Sequence, residues 1–213
     1  MPAQLYLVRH GETAWSLSGQ HTGRTDLPLT DAGRKRAGRL RERLRGIAFS
    51  RVLTSPLQRA RQTCELAGLG AGAKVEPDLR EWDYGVYEGR TTAEIHAEQP
   101  DWNVFQHGGP GGETVEQIQQ RADRLLAGLR AADGPVALFS HGHFLRALAA
   151  RWIGLPVGQG RHFALDTGSL SLLGYEHSDR GNPAILLWNS QSILWGGIAA
   201  PSPLGAGLKN SPV

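Results

Sequence analysis

Two short stretches of the chain, Gln4-Leu5-Tyr6-Leu7-Val8 and Pro135-Val136-Ala137-Leu138-Phe139-Ser140, are apolar almost without interruption, the pattern of strands buried on both faces of a parallel sheet. Arg51-Val52-Leu53-Thr54 reads as a third strand, and Ser169 to Tyr175 and Ala184 to Trp188 as two more near the C-terminal end. Elsewhere the apolar positions take helical spacing. Ala37, Leu40 and Leu44 share one face after Thr30, and Val115, Ile118, Ala122, Leu125 and Leu129 do so after Glu113. Ser55 followed by Pro56, with Gln58 three positions past the cap, predicts a helix that begins at Pro56. Phe144 to Ile153 forms a fourth helix, stopped by Gly154 and Pro156.

Strands that alternate with helices predict an α/β fold of three layers, α/β/α, with a mostly parallel central sheet and helices on both faces. In such sheets ligands bind where loops leave the carboxyl ends of strands. His10 and His141 stand at two such ends, each followed at once by glycine. Residues 81–113 are rich in turn formers, including Gly108-Gly109-Pro110-Gly111-Gly112, and predict an irregular cap over the site. From Gly196 the composition turns to Gly, Pro, Ser and Ala without periodicity, so residues 1–195 read as a single domain and 196–213 as a flexible tail.

Composition narrows the classes. The 213 residues are 40% apolar and 20% charged, which suits one domain with a sizeable core. No apolar run approaches the roughly 20 residues of a membrane span, and the N-terminus lacks the basic and apolar regions of a secretory signal, so a cytoplasmic location is expected. Cys64 is the only cysteine, which excludes an internal disulfide and a thiolate metal cluster and leaves it a packing role. The net charge of +3 fits an anionic small substrate, nucleic acid or a membrane surface equally. Arg34, Lys35, Arg36, Arg39, Arg41, Arg43 and Arg45 make one helix basic; a solvated face is the preferred reading over a nucleic-acid face.

The chemistry concentrates in four segments: Leu7-Val8-Arg9-His10-Gly11-Glu12-Thr13, Gly19-Gln20-His21-Thr22-Gly23-Arg24-Thr25-Asp26-Leu27-Pro28-Leu29-Thr30 with its continuation at Thr54-Ser55-Pro56-Leu57-Gln58-Arg59-Ala60-Arg61-Gln62-Thr63, Leu79-Arg80-Glu81-Trp82-Asp83-Tyr84-Gly85-Val86-Tyr87-Glu88-Gly89, and Ser140-His141-Gly142. Their order and wording resemble the histidine phosphatase superfamily, which includes cofactor-dependent phosphoglycerate mutases and small-molecule phosphatases. The resemblance covers about residues 4 to 145 and implies a phosphoglycerate mutase-like fold.

It also implies roles that make physical sense. A phosphate monoester dianion repels a nucleophile until its charge is neutralised, a task that falls to Arg9 and Arg59. His10, if neutral, attacks phosphorus and forms a phosphohistidine, while His141 donates a hydrogen bond to the transferring phosphoryl oxygens. Glu81 is the general acid for the leaving oxygen and then the base for water. Thr22 and Gly23 match phosphate or substrate contacts, Ser16 falls where the mutases usually carry Asn, and Tyr84 and Gly142 complete the expected substrate-binding set. His141-Gly142-His143 lacks the further ligands a metal requires, and Gly108 to Gly112 lacks the ending of an NTPase phosphate loop, so no metal and no cofactor are expected.

Within the resemblance two activities compete. The stretch from Glu81 to His141 is shorter than in the mutases, whose insertion keeps water from the phosphohistidine, and the shorter cap favours hydrolysis. The second and third segments look most like the branch that contains fungal sedoheptulose 1,7-bisphosphatase, which points to sugar phosphates. Phosphoglycerate mutase and a non-catalytic phospholigand-binding domain are the alternatives; intact His10 and Glu81 oppose the latter. The expected partner is a small phosphorylated metabolite, with no nucleic acid and no membrane. The oligomeric state is open, a homodimer being one assembly the sequence allows.

Overall fold

The computed structural model describes residues 1–191, and the expected tail at 196–213, like the 195 boundary, lies outside them. In chain order the elements are β1 (Gln4–Arg9), α1 (Ala14–Ser18), α2 (Asp31–Leu44), β2 (Arg51–Thr54), α3 (Gln58–Leu66), β3 (Ala73–Val75), α4 (Thr92–His96), α5 (Val104–His107), α6 (Val115–Arg130), β4 (Pro135–Ser140), α7 (Gly142–Trp152), β5 (Leu170–Tyr175) and β6 (Pro183–Ser190), with short 3₁₀ turns between. They form an α/β domain around one six-stranded sheet of order β3-β2-β4-β1-β5-β6.

Strands β3, β2, β4 and β1 run parallel, whereas β5 pairs antiparallel with both β1 and β6. The sheet is therefore mixed, its parallel character confined to four strands. The short link from β5 to β6 forces them antiparallel, because a parallel return needs a crossover of a dozen residues or more.

Alternation along β1 and β4 sends side chains to opposite layers. Leu5, Leu7, Val136 and Leu138 meet Ala122, Leu125 and Leu129 of α6 and Leu145, Leu148 and Trp152 of α7. Val8, Ala137 and Phe139 meet Leu40 and Leu44 of α2 and Cys64 of α3 on the other side. Burial pushes the Cys64 thiol up to about 12, so it packs as an uncharged group.

Two local expectations are corrected, and one strand was not foreseen. Helix α3 begins at Gln58, two residues later than Pro56, because the Ser55 hydroxyl is drawn to His141 while Asp26, distant in sequence, accepts the Gln58 N–H at 2.7 Å. Helix α7 begins at Gly142 rather than Phe144, since a carboxylate from elsewhere holds its first turn. Strand β3 had no counterpart in the sequence reading: its three residues sit at an edge, two of them exposed, and carry no buried pattern.

The expected cap is more ordered than its turn formers suggested. Trp82, Tyr84, Tyr87, Ile95, Trp102, Val104 and Phe105 form a buried cluster with Ile118 of α6, Ala147 of α7 and Val157. Thr91 and Glu94 close a reciprocal cap on α4. The glycine-rich stretch packs backbone on backbone: a Cβ at Gly109 or Gly112 would stand 2.4 or 2.2 Å from Asp83 O, and one at Gly85 would stand 2.0 Å from Pro110 O.

Candidate active site

Strands β2, β4 and β1 lie side by side and end together, so Ser55, His141 and His10 emerge at one edge. The His10 N–H donates to Ser140 O at 2.9 Å and the Ser55 N–H to Phe139 O at 2.9 Å, continuing the sheet to the residues themselves. Gly11 lets the first turn of α2 approach, for a Cβ there would stand 2.7 Å from Gly33 O.

His10 Nδ1 lies 2.7 Å from Gly11 O, which accepts only from a protonated Nδ1 and so leaves Nε2 with its lone pair. Burial, then the Arg59 and Arg9 guanidiniums, hold His10 well below the usual histidine range despite that hydrogen bond. The imidazole is neutral at pH 7. The His141 ring centroid is 5.1 Å from that of His10, and burial with Arg59 keeps it neutral too.

Arg59 is buried and fully engaged: Nε donates to His141 Nδ1 at 3.1 Å, Nη1 to Thr25 O at 2.9 Å, and Nη2 to Thr22 O and Gly23 O at 3.0 Å. His141 then donates from Nε2 to Ser55 Oγ at 2.7 Å. A phosphoryl oxygen arriving here competes with these acceptors for the same donors. Arg9 differs. Its Nη1 donates to Leu165 O, but its buried Nε has no protein acceptor, an unpaired charged donor of the kind that buried sites keep for a functional reason.

Glu81, only 7% exposed, accepts at Oε1 from the N–H groups of Trp82 at 2.9 Å and Phe144 at 2.8 Å, and at Oε2 from His143 at 3.0 Å. It thereby caps α7, whose N-cap residue His141 makes no side-chain cap of its own. Oε2 accepts a single protein hydrogen bond and keeps a lone pair for a proton. Tyr84 is buried beside it, and burial followed by Glu81 raises its phenol well above 10 against the opposing pull of Arg9 and Arg59.

The remaining expected contacts divide. Thr22 and Gly23 reach the site, but through carbonyls that hold Arg59; the Gly23 N–H is taken by Glu88, at 2.9 and 3.0 Å from the two carboxylate oxygens. Gly142 makes room for Arg9, since a Cβ there would stand 3.2 Å from both Arg9 Cζ and Nε. Ser16 is engaged locally: with Thr13 it forms the reciprocal cap of α1, its hydroxyl accepting from Thr13 N at 2.8 Å and donating to Thr13 O at 3.0 Å. Ser55, Glu88 and His143 were missed. Ser55 was findable, because it follows β2 as His10 and His141 follow their strands.

A cleft of about 480 Å³ opens beside Glu81, lined by Gly23, Arg24, Leu57, Arg80, Asp83, Glu113 and Arg121, with an Arg24–Asp83 ion pair of 2.7 Å in its wall. Among the described residues no group of three or more His, Cys, Asp or Glu side chains is placed to hold a metal ion, and no helix is long and apolar enough to cross a membrane.

Fold and site define an α/β enzyme that gathers guanidiniums around an unprotonated imidazole at the carboxyl edge of its sheet, the arrangement phosphoryl transfer to histidine requires. The chain belongs to the histidine phosphatase superfamily, branch 1, whose family model matches residues 5–191. It is 42% identical over 208 residues, 96% of this chain and 97% of the relative, to an acid phosphatase of Mycobacterium tuberculosis. It is 35% identical to the sedoheptulose 1,7-bisphosphatase of Saccharomyces cerevisiae, covering 85% of this chain and 90% of that one. The solved structure of a putative α-ribazole-5′-P phosphatase from Escherichia coli superposes with a TM-score of 0.78 at 30% identity, over 90% of this chain and 98% of the other.

Proposed function

We propose that this phosphoric monoester hydrolase acts on small phosphate monoesters, sugar phosphates first, through a phosphohistidine on His10. The observation that carries the reading is the state of His10: Nδ1 committed to Gly11 O, Nε2 unprotonated, and both arginines close enough to depress its protonation. The Nε2 lone pair forms the N–P bond as the ester P–O bond breaks, and the electron pair leaves on the ester oxygen. Glu81 Oε2 protonates that oxygen. In the second step water attacks phosphorus, its proton passes to Glu81, and the N–P bond breaks to restore His10. Arg9, whose buried Nε has no protein acceptor, has donor capacity left for the incoming anion, while Arg59 and His141 reach it by exchanging protein acceptors for phosphoryl oxygens.

Because His10 stays neutral well below pH 6.5, the nucleophile remains competent in the acid range, in keeping with the name of the mycobacterial relative. The sugar-phosphate class rests on the names of the yeast and E. coli relatives and on the cleft beside Glu81, whose lining includes Arg24, Arg80, Asp83, Glu113 and Arg121. A cytoplasmic location belongs to the same reading.

The test is a panel of phosphometabolites assayed for phosphate release, run beside 3-phosphoglycerate with a bisphosphoglycerate primer. Hydrolysis of one or more sugar phosphates with little 2-phosphoglycerate is expected. Efficient primer-dependent interconversion with negligible phosphate release would assign mutase activity instead.

A further inference from the structure

Arg9 and His10 are gripped from one side by a segment that has no regular structure. Leu165 O accepts from Arg9 Nη1, and the Gly168 N–H donates to His10 O at 2.9 Å and to Arg9 O at 3.1 Å. Residues 164–168 form neither helix nor strand, so their place has to be fixed from outside. Strand β6 fixes it. Trp188 Nε1 donates to Ala164 O at 2.6 Å. Asn189 meets Asp166 twice: its Oδ1 accepts from the Asp166 N–H at 2.8 Å, and its Nδ2 donates to Asp166 Oδ2 at 3.0 Å. Gln191 Nε2 donates to the same carboxylate oxygen at 2.5 Å. Burial lowers the basicity of Arg9, and negative charge at Glu81 and Asp166 opposes it, so the clamped carboxylate also acts on the guanidinium by charge.

The backbone is bent to make this contact. Leu170 pairs with Ser190 and Leu172 with Leu187, so β6 takes three steps where β5 takes two. The surplus residue makes a bulge, a device that re-aims a side chain. Asn189 stands there at φ 52°, in the left-handed region that asparagine tolerates better than most side chains, and its N–H donates to the buried Ser171 Oγ at 3.0 Å. A residue that had only to pair with β5 would not need this conformation.

We propose that Asn189 is a positioning residue for Arg9, acting through Asp166 and Leu165 to hold the guanidinium in line with a phosphoryl oxygen. The proposal rests on the phosphomonoesterase reading above and extends that site to the edge strand of the sheet. Asn189 touches neither substrate nor reacting atoms in this scheme; its effect on the rate passes entirely through Arg9.

Asn189→Gly removes the amide and leaves a residue at ease at positive φ, so backbone strain does not confound the result. With p-nitrophenyl phosphate as substrate, kcat/KM should fall about tenfold in Asn189→Gly, part of the roughly 10²-fold that a misplacement of about 1 Å can cost. In an Arg9→Ala background the same substitution should change kcat/KM by less than about twofold, because the group it aligns is gone. Asn189→Asp sets a carboxylate against Asp166 and should lose at least as much as Asn189→Gly. Adding Asp166→Asn to it exchanges the two ends of the pair and should restore kcat/KM to within about threefold of wild type, the hydrogen bonds being remade. An unchanged kcat/KM in Asn189→Gly, a tenfold loss that persists in the Arg9→Ala background, or no recovery in the double variant overturns the assignment; if Asn189→Gly does not fold, the exchanged pair decides alone. Failure of the wild type to hydrolyse any phosphomonoester would instead overturn the underlying reading, and this proposal with it.

Discussion

Replacing Gly142 by Ala separates the position of Arg9 from its charge. The added methyl carbon would stand 3.2 Å from Arg9 Cζ and Nε and 3.5 Å from Nη2, a few tenths of an ångström inside the roughly 3.5–4.0 Å at which such atoms settle. These atoms end a side chain, so the guanidinium yields rather than the helix. Gly142 opens α7, and alanine favours a helix by up to about 1 kcal/mol over glycine, so the melting temperature should hold or rise. The rate should not. A displaced Arg9 loses alignment on a phosphoryl oxygen, and one charge-assisted hydrogen bond of about 1.5–3 kcal/mol corresponds to a fall in kcat/KM of roughly 10- to 100-fold. Steady-state phosphate release from a sugar phosphate, measured with thermal melts on the same preparations, reads both quantities. Wild-type kcat/KM in a normally folded Gly142→Ala protein would refute the argument that this glycine exists to admit Arg9.

Rapid-quench mass spectrometry should find phosphate on the wild-type chain and none on His10→Ala; phosphate trapped on another residue of the variant would move the nucleophile. Glu81→Gln should slow the pre-steady-state burst on the order of 10²-fold for a sugar phosphate but far less for an activated aryl phosphate, whose phenolate needs little protonation; equal slowing of both would transfer the acid's role to another carboxyl. Four histidines, at 10, 21, 141 and 143, are held below their usual range by burial, so the unfolded chain binds more protons as pH drops through 6.5 and stability is lost in that direction. For His21, lowered to about 4, the loss spans pH 6.5 to 4, and His21→Phe should flatten the decline of melting temperature across that window; an unaltered slope would contradict its neutral burial.

Much of this architecture was legible because burial leaves a local trace. Strands β1 and β4 are apolar at successive positions, which only a sheet covered on both faces demands, and α2 and α6 repeat their apolar residues on one stripe. The same reasoning placed His10 and His141 at strand ends. It missed β3, whose exposed edge leaves no pattern, and misplaced the starts of α3 and α7, whose caps come from Asp26 and Glu81, far away in sequence. Glu81 was legible as a carboxyl in a matching segment, but not as the cap of α7, a bond across 62 positions. Ser16 shows the reverse failure: a matching position whose hydroxyl is consumed one turn away by Thr13.

The glycines that pack against Asp83 and one another, two positions beyond Glu81, also limit how this enzyme can diverge. At Gly85, Gly109 and Gly112 main chain touches main chain, so neither strand of the contact can accept a side chain, and an inserted residue would part them. The acid-bearing loop is thus closed to tinkering, by natural drift or by an engineer. Residues 91–107 meet it differently, through the side chains of Ile95, Trp102, Val104 and Phe105 in one buried cluster with Trp82, Tyr84 and Tyr87, where a change of side chain leaves the main-chain contact in place. A mutagenesis library aimed at this lobe belongs at those side-chain contacts and not at the three glycines.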